Sequence, residues 1–295
     1  MAVKLRPGAA VDARGPRPSR LVNALRRQRL FSRIIIFDMH ATSSATPPPR
    51  EPDFSVVIPC FNERDNVLAL VREIAQTCAG RHFEILVVDD ASTDGSGEHL
   101  LGVAGEFDGR LRLVRHAHNR GQSASVCTGI DFAQGRCIVT LDGDGQNDPG
   151  DIPALLAALA TCDVPTLVCG YRRTRRDTWL RRWSSRIANT VRAAILGDAT
   201  PDTGCGLKAF ERALFMRLPR FNHMHRFLPA LVQREGAQAI SVEVHHRPRR
   251  HGQSKYGVGN RLWVGIVDIF GVLWLRRRGL PLVPSAELTP PSARP

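Results

Sequence analysis

Two carboxylates spaced two residues apart, Asp142 and Asp144, stand at the end of an apolar run, with Gln146 two residues further on. Oxygen donors at this spacing suit a divalent cation, because alternate residues of an extended segment point to the same side. The stretch from Val139 to Pro149 reads as a strand emptying into such a ligand set, with Gly143 leaving room for a ligand to approach the backbone. A cation held by both carboxylates could bridge them to a diphosphate. A calcium loop would use Asp142, Asp144 and Gln146 as its first, third and fifth positions. It also needs Gly at the sixth and Glu at the twelfth, where this chain has Asn147 and Pro153.

The elements that must position these groups alternate from Phe54 onward. Phe54–Pro59, Phe83–Val88, Leu111–Arg115, Cys137–Leu141 and Pro165–Gly170 read as strands, with amphipathic helices between them, beginning with Glu63–Ala79. This rhythm predicts an α/β fold, a mostly parallel sheet with helices on both faces, whose ligands collect at the carboxyl ends of the strands. The polar clusters fall at those ends: Pro59-Cys60-Phe61-Asn62-Glu63 after the first strand, Asp89-Asp90 after the second, Asp142-Gly143-Asp144 after the fourth. Thr93 or Asp94 is the expected cap of the second helix. No Gly-x-Gly-x-x-Gly follows the first strand and no Gly-Lys-Ser/Thr occurs, which argues against dinucleotide oxidoreductases and P-loop enzymes. Acids in place of glycines point to a nucleotide held by base, ribose and metal.

Composition narrows the partner. The 295-residue chain is 43% hydrophobic and 23% charged, as expected of a globular protein with a sizeable core. Its net charge of +13 calls for an anionic partner. Aromatics at 6% are too few for a stacking platform along single-stranded nucleic acid. The basic residues bunch in 1–33, 172–192, 247–255 and 276–278, favouring a membrane surface or a phosphate-bearing ligand over nucleic acid. Seven cysteines without a Cys-x-x-Cys pair speak for reduced thiols, not disulfides or structural zinc.

Taken together, Ser55-Val56-Val57-Ile58-Pro59-Cys60-Phe61-Asn62-Glu63, Val87-Val88-Asp89-Asp90-Ala91-Ser92-Thr93-Asp94-Gly95 and Asp142-Gly143-Asp144-Gly145-Gln146 resemble the GT-A glycosyltransferases of family 2. They are most similar to the dolichyl-phosphate or undecaprenyl-phosphate mannosyltransferase branch. The resemblance covers roughly Phe54 to Arg278. It implies a Rossmann-like GT-A fold and a metal-dependent, inverting transfer of a hexose from a nucleotide-sugar, GDP-mannose or a UDP-sugar, to a polyprenyl phosphate at the cytoplasmic face of the membrane. By the same resemblance Pro59, Phe61 and Glu63 surround base and ribose, with Phe61 where relatives usually carry Tyr. Val88 and Asp90 fall at base-contacting positions and Gly143 joins the donor site, while Asp142, Asp144 and Gln146 match ligands of Mg2+ or Mn2+.

Downstream, Arg172 matches the family's phosphate-binding arginine, and Arg181, on a basic helix expected over Thr178–Leu196, matches the position that grips the acceptor phosphate. Trp179 and Trp183 of that helix are candidates for the membrane interface. Asp202, in Asp202-Thr203-Gly204-Cys205-Gly206-Leu207-Lys208, matches the loop beneath the acceptor, as a base or as the group that orients the sugar or a phosphate-binding side chain. Arg249 and Lys255, with Gly252 as hinge, match a loop closing over the donor diphosphate or the acceptor phosphate, after a strand around Ile240–His246. His245, His246 and His251 do not read as zinc ligands, since adjacent residues on a strand face opposite ways.

Four segments are expected: a basic, Pro/Ser-rich disordered tail over 1–53, a catalytic domain over 54–257, an apolar membrane-associating helix over 258–278 and a disordered tail over 279–295. The apolar part of that helix covers about fourteen residues, too short to span a bilayer and suited to lying in its interface. Two other functions fit parts of the pattern: a soluble family 2 enzyme glycosylating a glycan or protein hydroxyl, and a non-enzymatic module binding anionic membranes. The basic helix favours a phosphate acceptor over the first, and the intact Asp142/Asp144/Gln146 set speaks against the second.

Overall fold

The computed structural model describes residues 35–36, 51–173, 196–198, 200–248 and 258–278. The chain divides into two units, Met1–Arg33 and Ile34–Pro295, and all described residues belong to the second. Arg181, Trp179, Trp183, Arg249, Gly252 and Lys255 lie outside the described residues.

Eight strands form one sheet: β1 (Ile35–Ile36), β2 (Phe54–Cys60), β3 (Phe83–Asp89), β4 (Leu111–Arg115), β5 (Cys137–Thr140), β6 (Thr166–Tyr171), β7 (Lys208–Glu211) and β8 (Gln238–Glu243), in the order β1-β4-β3-β2-β5-β7-β6-β8. β2 pairs in parallel with β3 and β5, β3 with β4, and β6 with β8. The mostly parallel sheet expected from the sequence is present, with two additions. Lys208–Glu211, which begins at the last residue of the expected Asp202–Lys208 loop, is a strand antiparallel to both β5 and β6. Ile35 and Ile36, assigned to a disordered tail, pair with Val114 and Arg115 on the outer edge of β4. Both strands are too short for periodicity to mark them.

The described helices are α1 (Arg64–Thr77), α2 (Ser96–Gly102), α3 (Gln122–Phe132), α4 (Ile152–Ala160), α5 (Arg212–Met216), α6 (Leu228–Arg234) and α7 (Val258–Arg277). Alternate residues of each central strand enter opposite cores. Val56, Ile58, Ile85, Val87 and Val139 pack with Val67, Leu70, Val71 and Ile74 of α1 and Ile152 and Leu155 of α4. Val57, Leu86, Val88 and Ile138 pack on the other side with Val126 and Ile130 of α3, Leu214 and Phe215 of α5, and Leu231 of α6. Burial on both faces explains why β2 and β3 are near-continuous Val, Ile and Leu rather than alternating.

The strand order sets where a ligand can sit. From β2 the chain steps outward to β3 and β4, then returns past β2 to add β5 on the opposite side. Chain connections therefore diverge at the carboxyl ends of β2 and β5, the crevice where open α/β sheets bind ligands. The other end of β3 shows the contrast. There Glu84 is enclosed by Ser55 Oγ (2.6 Å), Arg112 Nη1 (2.5 Å) and the Gln134 amide (2.6 Å), a closed structural knot.

Candidate active site

Asp142 and Asp144 follow β5 at this switch point, with Pro59 to Glu63 opposite them at the end of β2. The two loops touch backbone to backbone. A Cβ at Gly143 would come within 2.9 Å of the Pro59 carbonyl oxygen. The glycine thus serves the contact between the two strand ends, where the sequence pattern suggested room for a ligand. Gly206, on the loop before β7, plays the matching part below: a Cβ there would overlap the carboxylate of Asp142.

Three hydrogen bonds hold the carboxylate loop. Gln122 Nε2, in the first turn of α3, donates to Asp142 Oδ1 at 2.7 Å, and the Asp142 amide donates to Asn147 Oδ1 at 3.3 Å. The Gln146 amide donates to Asp144 Oδ1 at 3.2 Å, folding the loop so that Asp142, Asp144 and Gln146 stay together. Burial, and next the charge of Asp144, push Asp142 up to about 6, while Lys208, Arg172 and the Gln122 hydrogen bond act in the opposite direction. A carboxylate pair that resists ionising together gains from a dication, and the donors here are oxygens. The residues present fit Mg2+ or Mn2+, with Asp142 and Asp144 as ligands and Gln146 beside them.

Arg172 and Asp202 form a bidentate pair, Nε to Oδ2 at 2.7 Å and Nη2 to Oδ1 at 3.0 Å. Asp202 is buried, and both its oxygens face the guanidinium. The pair fixes the orientation of the Arg172 guanidinium. The loop carrying Asp202 is fastened by Lys208, whose Nζ donates to the Cys205 carbonyl, and by Thr140 Oγ1, which donates to the Gly206 carbonyl at 2.7 Å.

After the end of β3, Asp90 is buried and accepts from His116 Nδ1 (2.7 Å) and from the amides of Arg120 and Gly121 (2.8 Å each). Burial works to raise its pKa, but the His116 contact and the two amides together outweigh burial and hold Asp90 below the usual carboxylate range. The carboxylate thereby fixes the turn that delivers Gln122. The Val88 side chain is wholly buried against Gly129 of α3. Phe61 and Glu63 are partly exposed. Their loop is joined to the next by Asn62, at φ 53°, whose Oδ1 accepts the Thr93 amide at 2.8 Å, and by the Glu63 amide donating to Ser96 Oγ at 3.1 Å. The N-cap of α2 is Gly95, in the left-handed conformation, and not the expected Thr93 or Asp94; Asp94, one residue earlier, accepts from the Ser96 amide and from the Arg64 amide that opens α1.

The segment leading to the Arg249–Lys255 motif departs from this same loop. His246 pairs with Asn147 in an antiparallel bridge, and the Arg247 amide donates to the Gln146 carbonyl at 3.0 Å. Arg247 is itself anchored by Glu73 (2.6 Å) and Asp148 (2.7 Å). Sequence reasoning passed over Gln122, His116, Asn147, Lys208 and Arg247 as actors. A weak signal existed for two of them, since Gln122 opens a helix at a strand end and Lys208 closes the Asp202 motif. His245 is engaged by Asp151 at 2.9 Å, and no group of three or more His, Cys, Asp or Glu side chains among the described residues is disposed around a metal.

A mixed sheet with acids at the switch point and a half-buried arginine beside them defines a nucleotide-dependent transferase class, and comparison with known proteins agrees. Residues 55–218 match the sequence model of Glycosyl transferase family 2. The chain is 36% identical over 239 residues to the dodecaprenyl-phosphate galacturonate synthase of Rhizobium johnstonii, covering 78% of this chain and 69% of that protein. It is 37% identical over 205 residues to the undecaprenyl-phosphate 4-deoxy-4-formamido-L-arabinose transferase of Enterobacter sp., covering 68% of this chain and 62% of the relative. The chain thus spans less than two thirds of the length of that transferase. Glucosyl-3-phosphoglycerate synthase from Mycobacterium tuberculosis, solved with Mn2+, uridine diphosphate and glucosyl-3-phosphoglycerate, shares the fold at a TM-score of 0.56 and 21% identity, over 78% of this chain and 81% of that one. The same synthase has also been solved with Mg2+ and uridine diphosphate. The chain belongs to glycosyl transferase family 2.

Proposed function

We propose that this protein transfers a hexose-type sugar from a nucleotide-sugar to a polyprenyl phosphate, with inversion, at the cytoplasmic face of the membrane, supplying a lipid-linked sugar for envelope modification. The observation that carries the reading is the Asp142/Asp144 pair at the β2/β5 switch point, beside the half-buried Arg172 paired with Asp202. The two prenyl-phosphate enzymes named above support the acceptor class, and the uridine diphosphate complexes of the synthase support the donor class.

In this reading Asp142 and Asp144 would hold Mg2+ or Mn2+, which would supply charge neutralisation for a departing nucleoside diphosphate. Gln122 and Gly206 keep the Asp142 carboxylate in place. The turn fixed by Asp90, together with Pro59, Phe61 and Glu63, takes the nucleoside. Arg172, oriented by Asp202, supplies a planar cation to phosphate oxygens. Arg181, Arg249 and Lys255 take the acceptor phosphate or the donor diphosphate, on the strength of the family resemblance. The attacking group is a phosphate monoester with a second pKa of about 6, so at neutral pH it is already largely dianionic. Positioning matters more than proton removal, which agrees with Asp202 being occupied by Arg172.

The test is to incubate the purified protein with Mn2+, undecaprenyl phosphate and a panel of GDP- and UDP-sugars. A lipid-linked sugar from one donor is expected, lost in Asp142→Ala. Failure of every donor, or turnover unchanged in Asp142→Ala, would defeat the reading.

A further inference from the structure

Three consecutive residues that follow β8 run alongside the carboxylate loop, each fastened there by its own contact. His245 donates its amide to Asp151 Oδ2 at 2.7 Å and sets its ring Nδ1 against Oδ1 of the same carboxylate at 2.9 Å. His246 lies opposite Asn147 in the antiparallel bridge, and the Arg247 amide donates to the Gln146 carbonyl at 3.0 Å. The Arg247 side chain closes the seam. Its Nε and Nη2 donate to Asp148 Oδ2 and Oδ1 at 3.1 and 2.7 Å, and its Nη1 donates to both oxygens of Glu73, at 2.6 and 2.8 Å. Glu73 belongs to α1, whose apolar side is buried in the core, so the guanidinium ties the loop to an element that is itself held fast.

The part of the loop held in this way presents the two carboxylates. Asn147 is buried; its Oδ1 accepts the Asp142 amide at 3.3 Å, and its Nδ2 donates to Cys205 Sγ at 3.6 Å. The Gln146 amide donates to Asp144 Oδ1 at 3.2 Å. A shift of the 146–148 backbone therefore reaches both Asp142 and Asp144 through one hydrogen bond each. Gly145, at φ +70°, places a pivot between Asp144 and that backbone. Asp148 lies in the same loop, yet Arg247 takes both its oxygens and so keeps it from acting as a further cation ligand. Arg247 itself is unsuited to binding phosphate, because two carboxylates already match its charge and occupy its donors.

We propose that Arg247 is a positioning residue for the cation site: by clamping Asp148 to Glu73 of α1, it holds the 146–148 backbone where Gln146 and Asn147 set Asp144 and Asp142 for a divalent ion. This rests on the proposed function only in the assignment of the ion to Asp142 and Asp144. Groups that orient metal ligands without touching the ion contribute about 10- to 100-fold in affinity.

The experiment is titration of the full chain with Mn2+, read by electron paramagnetic resonance of the free ion, with circular dichroism on the same samples. Arg247→Met is expected to weaken Mn2+ binding about 10- to 100-fold while keeping the wild-type dichroism. Arg247→Lys retains the charge without the planar fork and should fall between the two. Glu73→Gln loosens only the anchor on α1 and should weaken binding by a smaller factor, above about twofold. Arg220→Met is the control for stability alone. It removes a bidentate pair with Asp131, 2.6 Å on both arms, at the end of α3 opposite to Gln122, and should leave Mn2+ affinity as in wild type. An Arg247→Met affinity within about twofold of wild type overturns the proposal, as does an equal loss in Arg220→Met. If Arg247→Met does not fold, Glu73→Gln decides, and unchanged affinity there overturns the proposal as well. Wild-type protein that binds no Mn2+ removes the assignment of the ion and this inference with it. Mn2+ binding that follows the expected order, without transfer from any donor, leaves the inference standing and removes the proposed function instead.

Discussion

Gln122 Nε2 donates to Asp142 Oδ1 across 2.7 Å, tying the first turn of α3 to the carboxylate at the end of β5. The turn that presents Gln122 is itself held by Asp90 through the amides of Arg120 and Gly121, so the nucleotide side and the carboxylate side share one rigid connection. Removing the donor should release the carboxylate. Gln122→Leu is expected to weaken Mn2+ binding about 10- to 100-fold, the usual cost of losing a group that orients a metal ligand. Electron paramagnetic resonance of free Mn2+ reads this directly, and an affinity within twofold of wild type would remove Gln122 from that role.

Gly206→Ala tests the same carboxylate from the opposite side. The added methyl would overlap Asp142, so either the carboxylate or the loop must shift. Overpacking of this kind costs about 1–3 kcal/mol. The variant should fold with a lowered melting temperature, and Mn2+ should no longer raise it. A Mn2+-dependent increase equal to that of wild type would contradict the placement of Asp142 against Gly206.

Metal affinity should depend on pH in a defined window. Because burial and Asp144 raise Asp142 to about 6, the carboxylate pair still carries a proton below that pH in the metal-free protein. The proton must leave before the ion binds. Affinity is therefore expected to fall about tenfold for each pH unit below about 6 and to level off above it. Titration calorimetry with Mn2+ from acid to neutral pH checks this, and a flat profile across the window would contradict it.

His225 predicts acid sensitivity of the fold. Burial, then Arg226, Lys208 and His223, depress it from 6.5 to about 3, so the folded protein keeps it neutral while the unfolded chain protonates it below 6.5. Its contribution to stability is present above pH 6.5 and is lost as the pH falls towards 3. His225→Asn should flatten the decline in urea stability across that interval. An unchanged slope would show that other groups dominate it.

The Arg172–Asp202 pair should behave as a unit. Taking one partner from a buried pair leaves an uncompensated charge, at a cost of about 3–5 kcal/mol. Asp202→Leu is therefore expected to destabilise the protein strongly, and Arg172→Met/Asp202→Leu to recover much of the loss. Neither should restore transferase activity. Denaturant unfolding of the single and double variants measures the coupling, and additive effects would refute it.

Several features were legible because they are repetitive or local. Two-sided apolar strands such as Val56 to Ile58 and Ile85 to Val88, and a four-residue helical rhythm in Val67, Leu70, Val71 and Ile74, mark the α/β body without any tertiary information. The two-residue strand Ile35–Ile36 and the four-residue strand Lys208–Glu211 escaped, since pairing partners distant in sequence create them and no periodicity of their own does.

The order of residues by itself determined the chemistry available, oxygen donors at Asp142, Asp144 and Gln146 at the end of a strand, because residue type and short-range spacing need no fold to be read. Only the tertiary structure decided what each group is held by. Gln122 reaches Asp142 from 20 residues away, Asp202 reaches Arg172 from 30, and His245 reaches Asp151 from 94. Contacts across such separations arise from the strand order, which brings the ends of β2, β5 and β6 together, and no local pattern in the chain encodes them.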